Sequence, residues 1–276
     1  MTLPGLDIPA LLKRYHIKPD KRLGQNFLVD PIALERVVQV SNIGMQDTVL
    51  EVGAGVGNLT RLLALRSRNV IAVELDDRLI SPLKEVTASL PNVLIVHADI
   101  LQLDPAGLID QSGYAVVANI PYYITSALIR HLLEAKTQPG RLTLTVQREV
   151  AQRICAEPGD MSLLSLSVQV YGNPSIAAQI PASAFYPKPK VDSAVVKVDI
   201  FPSPLIPVPL LPTFFRLAKA GFSQKRKTLR NALSGGMRWT KSDTDDILSD
   251  SGIDPQRRAQ TLSIEEWGRL AEDIEG

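Results

Sequence analysis

Glycines 53, 55 and 57 fall in the string Glu51-Val52-Gly53-Ala54-Gly55-Val56-Gly57, directly after a short apolar run. At a strand-to-helix turn such glycines permit positive φ and let a ligand approach the backbone. The spacing is not the G-x-G-x-x-G of dinucleotide sites: the third glycine comes one place early, and Asn58 stands where that pattern needs glycine. No Gly-Lys-Ser/Thr follows, so the loop is not a P-loop. The next apolar run closes on Glu74, nineteen residues after Gly55, where a carboxylate can accept both hydroxyls of a ribose. The third run ends in His97-Ala98-Asp99 and sets a second carboxylate at the same edge. Together these groups describe a nucleoside-shaped slot.

This arrangement resembles the class I S-adenosylmethionine-dependent methyltransferases. The resemblance implies that the glycine loop meets the methionine portion, Glu74 holds the ribose and Asp99 contacts the adenine. After the fourth run comes Asn119-Ile120-Pro121-Tyr122-Tyr123, similar to the N-x-P-Y motif of methyltransferases that act on exocyclic amines of nucleobases. An amine conjugated to a purine is a poor nucleophile, because its lone pair is delocalised into the ring. Acceptors must engage its N–H groups, and the Asn119 amide oxygen and Pro121 carbonyl can do so, while Tyr122 offers an aromatic face. A paired base cannot present that amine, so the target is single-stranded or flipped. Phe185 is expected to form the second wall, with Lys188 and Lys190 near the backbone. Stacking is worth about 1–3 kcal/mol per base, or roughly 5- to 150-fold in affinity.

These residues must be carried by elements, and from Thr48 onward apolar runs alternate with helical patterns, the mark of parallel strands joined by crossover helices. Strands are predicted at Val49–Val52, Val70–Leu75, Val93–His97, Ala115–Ala118, Leu142–Val146, Leu166–Tyr171 and Ala194–Ile200. Helices are predicted at Pro31–Val40, Leu59–Leu65, Arg78–Leu90, Thr125–Glu134 and Arg148–Cys155. The last two strands lack a helix between them and alternate more clearly, which predicts an antiparallel edge. The fold class is therefore α/β, a Rossmann-like seven-stranded sheet. Prolines 202, 204, 207, 209 and 212 then form a stiff spacer. The boundary is placed there, giving a methyltransferase domain over 1–202 with an N-terminal extension and a helical RNA-binding domain over 203–276. Four short helices are predicted in the latter, at Thr213–Ala220, Lys225–Leu233, Asp243–Asp250 and Ile264–Ile274.

The 276-residue chain is 45% hydrophobic and 21% charged, the composition of a globular protein. Its net charge of +1 conceals segregation: Leu205 to Lys241 holds eight basic residues and no acidic one, whereas Ser242 to Gly276 holds ten acidic against three basic. The basic stretch, with Lys225, Arg226, Lys227 and Arg230, reads as a phosphate-binding surface. Cys155 is the sole cysteine, which excludes a disulfide framework and favours a reducing compartment. His16, His97 and His131 lie far apart and give no metal-ligand spacing. The N-terminus has the wrong charge order for a secretory signal, and no apolar run is long enough to span a bilayer. A cytoplasmic monomer without a metal is expected.

The likeness extends along nearly the whole chain. Lys21-Arg22-Leu23-Gly24-Gln25-Asn26-Phe27-Leu28-Val29-Asp30, the Asn119–Tyr123 motif, Ser183-Ala184-Phe185-Tyr186-Pro187-Lys188-Pro189-Lys190-Val191-Asp192-Ser193, Phe222–Asn231 and Gly252–Ala259 resemble the small-subunit ribosomal RNA adenine dimethyltransferase family. That resemblance implies a donor site lined by Asn26, Leu28, Gly53, Gly55, Glu74, Asp99 and Asn119. It also implies two methylations of each of two adjacent adenosines near the 3′ end of small-subunit rRNA, on an immature 30S ribosomal subunit. Ala54 stands where many relatives have proline, and Gly159–Ser165 lacks a tyrosine-glycine-arginine run. Three other readings remain at this point: a large-subunit rRNA adenine methyltransferase, an assembly factor acting chiefly by docking, and a small-molecule methyltransferase.

Overall fold

A computed structural model describes residues 5–120 and 124–276. In chain order it begins with α1 (Ile8–Arg14), β1 (Phe27–Leu28), α2 (Pro31–Ser41), β2 (Thr48–Val52), α3 (Thr60–Ala64), β3 (Asn69–Glu74), α4 (Asp77–Thr87) and β4 (Val93–His97). There follow β5 (Ala115–Asn119), α5 (Thr125–Leu133), β6 (Arg141–Gln147), α6 (Arg148–Ile154), α7 (Leu163–Gln169), β7 (Gly172–Ile180), β8 (Phe185–Tyr186) and β9 (Ser193–Ile200). The chain ends with α8 (Leu211–Gly221), α9 (Leu229–Met237), α10 (Lys241–Asp250) and α11 (Ile264–Glu275).

Seven strands form one sheet in the order β4-β3-β2-β5-β6-β9-β7, while β1 and β8 make a separate antiparallel pair. Neighbours from β4 through β6 run parallel, and β9 is antiparallel to β6. Consecutive apolar residues such as Val116-Val117 and Val49-Leu50 are wholly buried, as strands covered on both faces require. The chain moves outward from β2 through β3 to β4, then resumes on the other side of β2 with β5. The carboxyl ends of β2 and β5 thus flank a topological switch point, where open α/β sheets bind ligands.

Helix starts are set by side chains. Asp30 caps α2 by accepting the Ala33 N–H at 2.7 Å, with Pro31 following, and Asp76 caps α4 through the Arg78 N–H at 3.1 Å. By contact the chain divides into two compact units, one comprising residues 1–151 and 175–200, the other 152–174 and 201–276. The stretch 152–171 is thus grouped with the C-terminal helices, and residues 172–174 begin β7. Within that second unit, Trp267 and Phe214 are fully buried, and a Cβ on Gly221 would lie 2.5 Å from the Trp267 ring, so only glycine admits this approach. There too, the Gly159 N–H donates to the Gln260 carbonyl at 2.8 Å and the Gln260 side chain returns a bond to the Gly159 carbonyl.

Two sequence expectations are corrected. The predicted strand Leu166–Tyr171 lies mostly within helix α7, and the strand follows it as β7. Ser162 and Ser165 form a reciprocal capping box that starts the helix, and the buried Leu164, Leu166 and Val168 imitate strand alternation. Pro174 inside β7 is tolerated because β7 is an edge strand. The predicted helix Lys225–Leu233 instead begins at Leu229, where the Thr228 side chain supplies the cap. Lys225, Arg226 and Lys227 consequently sit in the preceding turn. Helix α1 and the β1–β8 pair were not foreseen.

Candidate functional site

At the carboxyl ends of β2, β3 and β5 a crevice of about 220 Å³ opens. Gly53, Gly55, Glu74, Asp99, Asn119 and Asn26 all line it, so six of the seven residues expected at the donor site converge. Leu28 does not: its side chain packs in the core with Leu34, Val37 and Phe185. Apolar walls come from Leu75, Leu79, Ile100, Leu101 and Ile120.

The glycine loop and Glu74 are built as one device. The Gly55 N–H donates to Glu74 Oε2 at 2.7 Å and the Asp76 N–H donates to Oε1 at 2.9 Å, which fixes the carboxylate plane and leaves lone pairs for a ligand. Gly55 holds φ 62° and lies under the Phe27 ring, which a Cβ would meet at 3.2 Å, so the loop can pass there only as glycine. Burial pushes the Glu74 carboxyl upward, opposed by these backbone donors. Asp99 is half-buried and accepts the Leu101 N–H at 3.0 Å.

Asn119, the last residue of β5, donates from Nδ2 to the Asn26 carbonyl at 3.0 Å. A carbonyl only accepts, so this contact sets the amide orientation and leaves Oδ1 as the acceptor. Pro121 and Tyr122 lie outside the described residues. Phe185 is not brought to the crevice: it is 4% exposed and its ring packs in the core, so the stacking face expected of it is covered. Its position follows from the β1–β8 pairing, which sets Phe185 opposite Leu28.

Sequence reasoning gave no role to Gln25, Phe27, Asp76 or Glu51. Gln25 Nε2 donates to Asp76 Oδ2 at 2.7 Å, a contact across 51 residues that no local pattern announces. Glu51 is 1% exposed, and burial pushes its carboxyl up to about 8, with the charge of Glu74 adding and the Thr60 hydroxyl opposing. Its Oε2 has no hydrogen-bond partner among the described residues. The signal available was a carboxylate inside an apolar strand beside the glycine loop.

Lys188 and Lys190 are exposed in the first unit. In the second, Lys225, Arg226 and Lys227 are exposed and have no ion-pair partner among the described residues, whereas Arg230 is bound to Asp245 at 2.6 Å. Of the four basic residues expected to grip phosphate there, Arg230 is thus already neutralised. Histidines 97 and 131 contact backbone carbonyls of Leu75 and Leu103. Among the described residues no group of three or more His, Cys, Asp or Glu could hold a metal, and no helix is long and apolar enough to cross a membrane.

Comparisons with known proteins identify the family. The family described as ribosomal RNA adenine dimethylase matches residues 17–274. A protein of Dehalococcoides mccartyi named ribosomal RNA small subunit methyltransferase A is 46% identical over 267 residues, covering 96% of this chain and 92% of the relative. One of the same name from Alkaliphilus oremlandii is 42% identical, covering 96% and 94%. Among solved structures, the 23S rRNA methyltransferase ErmE superposes with a TM-score of 0.72 at 29% identity, covering 91% of this chain and all of that one. A dimethyladenosine transferase from Plasmodium falciparum gives 0.76 at 25% identity, covering 89% and 96%. The chain belongs to the ribosomal RNA adenine dimethylase family and is an rRNA methyltransferase of Rossmann-like class I fold.

Proposed function

We propose that the protein transfers methyl groups from S-adenosylmethionine to the exocyclic amines of two adjacent adenosines near the 3′ end of small-subunit rRNA, on an immature 30S subunit. The convergence of the glycine loop, Glu74, Asp99 and Asn119 on one crevice is the observation that carries it. The donor set fits the methyl donor: an oriented carboxylate for ribose hydroxyls, a second for an adenine amine, apolar walls for a flat ring, and an approachable backbone at Gly53 and Gly55. When bound, that donor supplies an electrophilic methyl on a positively charged sulfur.

Asn119 Oδ1 accepts from the adenine amine and aligns its lone pair for in-line attack, so catalysis rests on alignment and directed acceptors. Pro121 and Tyr122 are assigned, by resemblance, a second acceptor and a stacking face. Phe185 becomes the opposite wall only if its ring leaves the core packing described above. Lys188, Lys190, Lys225, Arg226 and Lys227 hold rRNA phosphates, which position the substrate without choosing its sequence. Small-subunit rRNA is favoured over large because the small-subunit relatives are the more similar, at 46% identity against 29% for ErmE.

The test is mass spectrometry of rRNA after incubation with S-adenosylmethionine and immature small subunits, with mature large subunits in parallel. Two dimethylated adenosines confined to small-subunit rRNA are expected. Methylation of large-subunit rRNA alone would overturn the substrate assignment, and a chain that binds no S-adenosylmethionine would overturn the donor.

A further inference from the structure

Residues 20–28 run as a strap along one wall of the crevice, where Leu23 through Phe27 line it. Four contacts fasten the strap to its surroundings, and a fifth, between Gln25 and Asp20, closes it on itself. Gln25 Nε2 donates to Asp76 Oδ2 at 2.7 Å, while Gln25 Oε1 accepts the Asp20 N–H at 2.7 Å. The Asn26 carbonyl accepts from Asn119 Nδ2 at 3.0 Å, the Phe27 ring covers Gly55, and the Leu28 carbonyl accepts from Asn58 Nδ2 at 2.8 Å. Asp76 is itself tied to the acid on β3, since its N–H donates to Glu74 Oε1. A continuous path therefore runs from Glu74 through Asp76 and Gln25 to the Asn26 carbonyl and the amide of Asn119.

The geometry points to Gln25 as a positioning residue that sets the orientation of Asn119 and links it to the Glu74 end of the crevice. This rests on the reading of Asn119 as the acceptor for the reacting amine. Gln25 suits the task because its amide offers a donor and an acceptor at once. Asp76, whose carboxyl the Arg78 guanidinium holds below the usual carboxylate range, can only accept, so Nε2 must face it and Oε1 must face the Asp20 N–H. The residue thereby pins the strap at a fixed distance from the β3–α4 turn. One position along, the same strap presents the Asn26 carbonyl, which takes a donor of Asn119. Without the pin, that carbonyl can drift and the Asn119 amide can turn, offering N–H groups where the substrate needs an acceptor. Asp76 is nearly buried and would also lose a charge-assisted partner.

The experiment is a double-mutant cycle between Gln25→Ala and Asn119→Ala in the full chain, read as single-turnover methyl transfer to immature small subunits with both substrates saturating. Calorimetric titration with S-adenosylmethionine and a thermal melt accompany each variant. Gln25→Ala alone is expected to slow transfer about tenfold, the effect of losing one hydrogen bond to a charged group. In the Asn119→Ala background the same change should cost less than about twofold, because the group it orients is gone. The proposal is overturned if Gln25→Ala transfers at the wild-type rate, or if its full loss persists when Asn119 is already alanine, which is what a merely structural role would give. Should the wild-type chain itself transfer no methyl to the rRNA, it is the functional reading that fails, before any variant is compared.

Discussion

Glu74 in the sheet unit has both carboxylate oxygens held by backbone N–H groups, and Asn119 beside it has a donor consumed by a backbone carbonyl. Lys225, Arg226 and Lys227 in the helical unit stand exposed in a turn with no ion-pair partner among the described residues. The two regions place function under opposite physical rules. Alignment of a weak nucleophile needs groups whose orientation is settled before the substrate arrives, and burial with backbone hydrogen bonds supplies that. Phosphate attraction needs charge at an accessible surface, where a flexible ammonium loses little by moving. The Arg230–Asp245 pair marks where the helical unit departs from its own rule, using a basic residue to join α9 to α10.

That contrast can be broken by experiment. The largest effect is expected at Asn119: Asn119→Ala should slow methyl transfer about 100- to 1000-fold, the loss seen when a single oriented catalytic group is removed, while S-adenosylmethionine affinity stays within a few-fold. Equal losses in binding and turnover would show that Asn119 acts on the donor and not on the amine. Replacing Lys225, Arg226 and Lys227 together by alanine should leave single-turnover chemistry intact at saturating rRNA but reduce the salt slope of binding by about two. Near 0.1 M salt that corresponds to roughly 100-fold weaker binding, read by filter binding across a salt series. An unchanged slope would remove the turn from the interface.

The smallest effect sharpens the crevice side. Glu51 has its folded-state carboxyl raised from 4.5 to about 8, so the folded state binds the proton more tightly than the unfolded one. Its ionisation cost is absent below pH 4.5 and grows as pH rises through the window up to about 8. Glu51→Gln should therefore flatten the fall of melting temperature between those values and gain most relative to wild type at the alkaline end. Melts of the two proteins at matched pH values check this, and parallel curves would mean that Glu51 stays ionised.

Much of the site was legible because its residues occur at strand ends, and strand ends announce themselves. Glu74 closes a buried apolar run, Asp99 follows an apolar run that is only partly buried at the sheet's edge, and the glycines follow the first run, so their common edge is dictated by parallel alternation. Leu28 and Phe185 were read as contacts whereas their side chains pack in the core, because an aromatic or aliphatic residue in a family-like motif reads equally well as either. Only the β1–β8 pairing sends both side chains inward. The error at Leu166–Tyr171 has the same origin, since a short buried helix and a short buried strand present nearly the same run of apolar residues and only the Ser162 cap separates them.

By itself the sequence determined the alternation of strands and helices from β2 to β6, the antiparallel edge, the charge segregation of the last quarter and the set of polar groups at the sheet's carboxyl end. Those properties are local: each depends on residue type and on spacing within a few turns of chain. The tertiary structure alone decided which atoms of those groups are spoken for. Whether Asn119 presents an acceptor, whether Arg230 is free and whether Glu51 keeps its proton depend on partners or burial supplied by distant parts of the chain. Hydrogen bonding and desolvation act through space, and distance in space is what a linear string does not record.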